Sequence, residues 1–192
     1  MVGGRSTLRW SNSVLAAGRR AFVLSASEHK SIVDRLERNV MEVLRKKDSV
    51  LISVVGKNGS GKSYFGRYVR KHGLGRYGRR LVTVIDDGTM YFDSLYFFKR
   101  KISIPTTGVD ELRPFRERMG AEKKIILYIN ATPARRITEA DILLNFVTDE
   151  DTRRKRLERR YGEGSEKLKK YFYREGLTDF QIRYTYRIDA GT

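Results

Sequence analysis

The chain has 192 residues, 40 Lys and Arg against 23 Asp and Glu, and a formal net charge of +17. It has no cysteine and only two histidines, His29 and His72, which excludes disulfides, thiolate-ligated zinc, a cysteine nucleophile and a histidine-rich metal centre. The length suits one domain, and the charge selects polyanionic partners: nucleotides, nucleic acid or anionic lipid headgroups.

Residues 1–24 show no clear period. They carry Arg5, Arg9, Arg19 and Arg20 and no acid, and they read as a basic N-terminal extension. The same composition marks organelle transit segments. Residues 25–192 read as a single domain. Ser25 and Glu28 make a Ser-x-x-Glu capping box, and Ile32, Val33, Leu36, Val40, Val43 and Leu44 then recur at helical spacing to about Lys46. The runs VLISVV (50–55), LVTVI (81–85) and IILYI (125–129) are short, apolar and rich in β-branched residues, the signature of fully buried strands. ILLNFV (142–147) is a fourth strand. IRYTYRI (182–188) alternates, with Ile182, Tyr184, Tyr186 and Ile188 on one face, as an edge strand does. Helices are expected at 62–72, near 111–119, from a cap by Thr148 and Asp151 to Gly162, and from Ser165 to about Tyr173. Strands alternating with helices predict a parallel α/β sheet with helices on both faces. No apolar run approaches the roughly 18 residues of a membrane span, and the absence of cysteine fits a reducing intracellular compartment.

The first strand runs into Gly56-Lys57-Asn58-Gly59-Ser60-Gly61-Lys62-Ser63, a complete G-x-x-x-x-G-K-[ST] match between a strand and a helix. Gly56, Gly59 and Gly61 permit positive φ, so backbone amides turn inward as an anion nest. The helix starting near Lys62 adds the partial positive charge of its N-terminus. Lys62 is then expected on the β- and γ-phosphates of ATP, with the Ser63 hydroxyl on Mg²⁺ and Tyr64 next to the bound nucleotide. Residues 49–85 hold eight Lys/Arg and no acid.

Phosphoryl transfer also needs a carboxylate for metal and proton, and cations for the charge that develops. The second strand ends in Asp86-Asp87, at the strand end where open α/β sheets place ligands. One of the pair is expected to hold Mg²⁺ through water and the other to accept a hydroxyl proton. Arg153, Arg156 and Arg160, spaced i, i+3, i+7, share a helix face suited to bidentate phosphate contacts.

The order of these parts, glycine loop, strand ending in Asp, later strand, then D-x-D-x-R-x-x-R-x-x-x-R, resembles the uridine kinase branch of P-loop nucleoside and nucleotide kinases over about residues 30–175. Phosphoribulokinase and pantothenate kinase share the outline. The resemblance implies a three-layer P-loop fold with a five-stranded parallel sheet in the order 2-3-1-4-5. It also implies a lid helix at about 149–162 with Arg156 and Arg160 on the phosphates, Asp87 as the base with Asp86 nearly as good an alignment, and Tyr91 near the acceptor. The implied reaction moves the γ-phosphoryl of Mg-ATP to a hydroxyl of a small molecule, a nucleoside first. Three features depart from the family: Asn130-Ala131 stand where Glu-Gly is usual, Tyr161 follows Arg160 where Asp is usual, and only 39 residues (86–124) separate strands two and three. Two other readings stay open. A polynucleotide 5′-hydroxyl kinase or other nucleic-acid-associated ATPase would explain the charge and the tyrosines among the cations at 64–80 and 171–187. An ATP-binding partner protein with weak catalysis would explain the missing Glu-Gly.

Overall fold

The structure, a computed structural model, describes residues 26–87, 91–94, 98–101, 110–117, 119–173 and 180–191, and only the backbone of 26–28, 91–94 and 98–101. The basic extension 1–24, the Ser25 cap and the side chain of Tyr91 lie outside the described residues. In chain order the elements are α1 (Ala26–Leu44), β1 (Val50–Gly56), α2 (Lys62–His72), β2 (Val82–Asp86), β3 (Tyr91–Ser94), β4 (Phe98–Lys101), α3 (Arg113–Arg116), β5 (Ile125–Ile129), a 3₁₀ turn (Pro133–Arg135), β6 (Glu139–Val147), α4 (Glu150–Tyr161), α5 (Glu166–Phe172) and β7 (Arg183–Gly191).

The five apolar runs form one all-parallel sheet in the order β2-β5-β1-β6-β7, which is 2-3-1-4-5 when its strands are counted along the chain. Alternation along each strand divides the core in two. Val50, Ile52 and Val54 of β1 turn to one face, where Val84, Leu127 and Leu144 join them under α1 and α2. The apolar stripe of α1 and Phe65 and Val69 of α2 close that layer. Gly66 lets α2 lie on β5, since a Cβ there would stand 2.4 Å from Ile129 Cδ1. Leu51, Ile85, Ile126 and Tyr128 turn to the other face and meet Leu112, Phe115 and Ile137.

Several elements differ from the sequence expectation. The helix expected at 111–119 is the single turn of α3, because Glu111 and Leu112 adopt positive φ (44° and 63°) and Pro114 has no amide to continue a longer helix. Among the described residues the second sheet face therefore carries this turn, the 3₁₀ turn and loops in place of a full helical layer. The fourth strand starts three residues early, at Glu139. The two-stranded antiparallel ribbon β3-β4 was not anticipated. The cap of α4 is Asp149, whose carboxylate accepts from Thr152 N at 2.8 Å, and not the Thr148-Asp151 pair. Edge strand β7 is parallel, with Ile188 and Ala190 buried, but Ile182 precedes it and packs with the opposite cluster while Tyr184 stays exposed. No helix among the described residues is long and apolar enough to cross a membrane.

Gly56 ends β1 in register with Phe146 of β6, at φ 131°, and a Cβ there would lie 2.5 Å from the Phe146 carbonyl oxygen. Gly56→Ala is expected to lower stability by at least about 2 kcal/mol, from left-handed strain and displacement of β6 together. Urea unfolding should show a lower midpoint at an unchanged m-value.

Candidate functional site

The loop after β1 takes positive φ at Gly56, Gly59 and Gly61. Gly61 is the N-cap of α2, with no side-chain cap and no acid in the first helical turn. The first-turn amides of a helix have no intrahelical partner, and here no side chain of the cap supplies one. Into this positive end the fold places a cation. Lys62 is 9% exposed, and its Nζ donates to Gly56 O at 2.6 Å, Lys57 O at 2.7 Å and Ser60 Oγ at 3.4 Å. Burial pulls its pKa down to about 8, against the charge of Asp86, which raises it, while Arg153 lowers it further. A cation at a helix N-terminus opposes the macrodipole. Loop, helix end and lysine thus concentrate positive potential on one small volume.

Helix α4 grips the outside of the loop. A Cβ on Gly59 would stand 3.0 Å from Arg153 Cγ and 3.1 Å from Leu157 Cγ, so only glycine admits the helix this closely. Arg153 Nη1 donates to Asn58 O (3.4 Å), Arg156 Nη1 to Gly59 O (3.3 Å) and Thr148 Oγ1 to Ser60 O (3.3 Å). In a trans peptide the carbonyl and the next amide point opposite ways. Fixing these three carbonyls toward α4 and its start turns the amides of Gly59, Ser60 and Gly61 away from it, and of these the Ser60 amide is already bonded to Lys57 O at 3.2 Å. Arg153 is tied further by Glu150, by Phe172 O at 3.1 Å and by the Phe172 ring at 4.3 Å. Lys57 Nζ pairs with Glu150 at 2.6 Å, and Asn58 Nδ2 donates to Tyr171 O at 3.4 Å. Lys57 and then Arg153 hold the Glu150 carboxyl below the usual range.

The structure thus gathers Gly56 through Ser63, Arg153 and Arg156 at one place, at the C-terminal end of the sheet. Arg153 and Arg156 bind the loop's own carbonyls, where the sequence had them on phosphate. Arg160 is exposed and stacks 5.2 Å over Tyr161. Tyr64 leans away from the loop, into the His29 ring (5.4 Å) and under Arg67 (5.4 Å).

Asp86 and Asp87 are both buried at the end of β2 but have different surroundings. The charge of Asp86 acts on Lys62 and on Arg70, whose pKa burial lowers to about 10. Asp87 Oδ2 accepts from Arg136 Nε (2.7 Å), Tyr128 Oη (3.0 Å) and Asn130 Nδ2 (3.0 Å), and Oδ1 accepts from Arg136 Nη2 (3.1 Å). Arg136 is fully buried, pairs also with Asp110 and lies 5.3 Å over the Phe115 ring. Burial opposes its charge, but the bonds to Asp87 and the charges of Asp87 and Asp110 raise its pKa overall. Burial, and then the Asp87 charge, push the Tyr128 hydroxyl far above the ordinary phenol range. Asn130 also accepts from Thr132 N at 2.9 Å, closing the turn after β5. Sequence reasoning missed Arg136, Asp110 and Tyr128. The one signal was Asn130 in the position where Glu was expected: an amide can donate to Asp87 and a carboxylate cannot.

Among the described residues no group of three or more His, Asp or Glu is arranged to hold a metal ion. No family model and no curated protein sequence matches the chain.

Removing one member of a buried ion pair leaves the other charged and unpartnered, at about 3–5 kcal/mol. Arg136→Met is expected to destabilise the fold by that amount. Asp87→Asn added to it should restore part of the loss, giving a non-additive double-mutant cycle by chemical denaturation.

Proposed function

We propose that the protein is an ATP-dependent phosphotransferase that binds the triphosphate of Mg-ATP on the 56–63 loop and moves the γ-phosphoryl to a hydroxyl of a small molecule. A nucleoside is the first candidate, as the resemblance to P-loop kinases of the uridine kinase branch implies. The observation that carries the reading is the buried Lys62 inside a positive-φ glycine loop, at an acid-free and uncapped helix N-terminus. A phosphate chain entering the loop satisfies the inward amides and gives the Lys62 ammonium an anionic partner in exchange for the carbonyls of Gly56 and Lys57.

The remaining roles follow from position. The Ser63 hydroxyl, in the first turn of α2, would hold a magnesium ion that takes its other ligands from phosphate and water, so no cage of three side chains is required. Such an ion would supply charge that offsets the phosphates. Asp86 is the better general base. Both oxygens of Asp87 are engaged by Arg136, and this pair positions the end of β2. The base moves from Asp87 to Asp86 for that reason. Arg156, which donates to Gly59 O one turn from Arg153 and stands 3.8 Å from where a Gly61 Cβ would lie, would exchange that carbonyl for the γ-phosphate.

The test is a mass-spectrometric screen of Mg-ATP reactions with nucleosides, nucleotides, vitamins and 5′-hydroxyl oligonucleotides. One acceptor should gain a single phosphoryl group. Lys62→Ala and Asp86→Asn should each lower that rate by at least about 100-fold, and Asp87→Asn should act mainly on stability. Equal rates for Asp86→Asn and wild type would overturn the base assignment. Tight ATP binding with no product in any class would favour the ATP-binding partner protein instead.

A further inference from the structure

The +17 charge is not spent at the loop. Helix α2 leads away from it, burying Lys62, Phe65, Gly66 and Val69 and presenting Arg67 and Lys71, one turn apart, on its exposed side. At its end Gly73 N caps back to Val69 O at 2.7 Å, and a Leu74–Tyr77 bridge folds the chain into a compact turn carrying exposed Arg79 and Arg80. That turn is fixed against the start of β5: Lys123 Nζ donates to Arg80 O (2.6 Å), and Lys124 N to Leu81 O (2.9 Å). Exposed Lys124 therefore joins the same patch. Arg67 and Lys71 are about 6 Å apart along the helix axis, and with Arg79, Arg80 and Lys124 they form a track from the middle of α2 to the end of the sheet opposite the glycine loop.

No acid lies in the chain between Asp48 and Asp86 to neutralise it. Arg76, in the same turn, is set apart by its pair with Glu37 of α1 at 2.5 Å. His72 is exposed beside Lys71 and leans on Tyr68 (4.8 Å), whose other face His29 covers at 4.5 Å, so one free ring, that of His72, stands next to the cations. The exposed large apolar side chains of the described residues, Val147, Tyr173 and Tyr184, are all elsewhere, so this surface offers nothing to insert into a bilayer.

We propose that this track, from Arg67 along α2 to Arg79, Arg80 and Lys124, binds the phosphate backbone of single-stranded nucleic acid. Rich in arginine, with Glu37 and Glu122 at its border paired to Arg76 and Lys123 and the exposed ring of His72 beside it, it matches the combination that sequence-tolerant strand binding uses: backbone cations and a stacking platform. The site is separate from the phosphate loop and does not depend on the phosphotransferase reading.

Fluorescence anisotropy of a labelled 20-nucleotide oligo-dT or oligo-U, titrated with the full chain over rising salt, tests it. Five cations on a single strand predict a log–log salt slope of about −3 to −4. The variant Lys71→Glu/Arg79→Glu/Arg80→Glu should weaken binding by at least about 100-fold at low salt. The charge-matched control Lys155→Glu/Lys167→Glu/Lys170→Glu, on the exposed sides of α4 and α5, should weaken it no more than a few-fold. Thermal melting checks that both variants are folded. Equal losses in the two variants would show binding by net charge alone and overturn the track. So would a flat salt response, or capture by phosphatidylserine vesicles with no oligonucleotide binding.

Discussion

One buried ammonium organises the molecule. Lys62 sits where three positive influences coincide: inward-turned amides, the N-terminus of α2 and its own charge. The fold contains that potential in two ways. Burial drops the lysine pKa to about 8, and the loop bends its own carbonyls from Gly56 and Lys57 onto Nζ. Both are substitutes for an anion. No acid stands in the first turn of α2 to neutralise that potential.

Rigidity around it comes from two buried clamps. On the outer side Arg153 and Arg156 bind the carbonyls of Asn58 and Gly59 and so fix which way the loop amides face. On the β2 side Asp87 and Arg136 form a bidentate pair that ties the end of β2 to the turn after β5, with Tyr128 and Asn130 filling the remaining acceptor sites. A carboxylate pair that looks redundant in the sequence is thereby divided: Asp87 holds the strand end, and Asp86 faces the field of Lys62 and Arg70, whose pKa values it raises.

The strands were legible because β-branched apolar runs leave little choice, and Val50, Ile125 and Ile142 begin or stand within strands where the pattern put them. The loop was legible because three glycines at fixed spacing encode a backbone conformation locally. What could not be read were the contacts that join distant segments. Asp87 meets Arg136 across 49 residues, and nothing near either one announces the other. The same holds for α4: the i, i+3, i+7 spacing of its arginines was visible, but that Arg153 would face the loop's carbonyls depends on Gly59 admitting the helix. The cap of α5 at Ser165 was legible, but that of α4 failed where three candidates compete. Thr148, Asp149 and Asp151 all suit a helix start, and the winner was decided when Thr148 bonded Ser60 O instead.

The central claim, that Lys62 is kept waiting for phosphate, is tested most directly by the protons taken up on binding. A lysine lowered to about 8 is mostly neutral at pH 9, whereas an ammonium paired with a triphosphate has its charged form favoured and its pKa raised again. Isothermal titration of ATP into the protein at pH 9, in two buffers of different ionisation enthalpy, should therefore show uptake of close to one proton per site. At pH 6, where Lys62 is already charged, this group should contribute no uptake. ATP binding at pH 9 with no buffer dependence, or no ATP binding at either pH, would contradict the account.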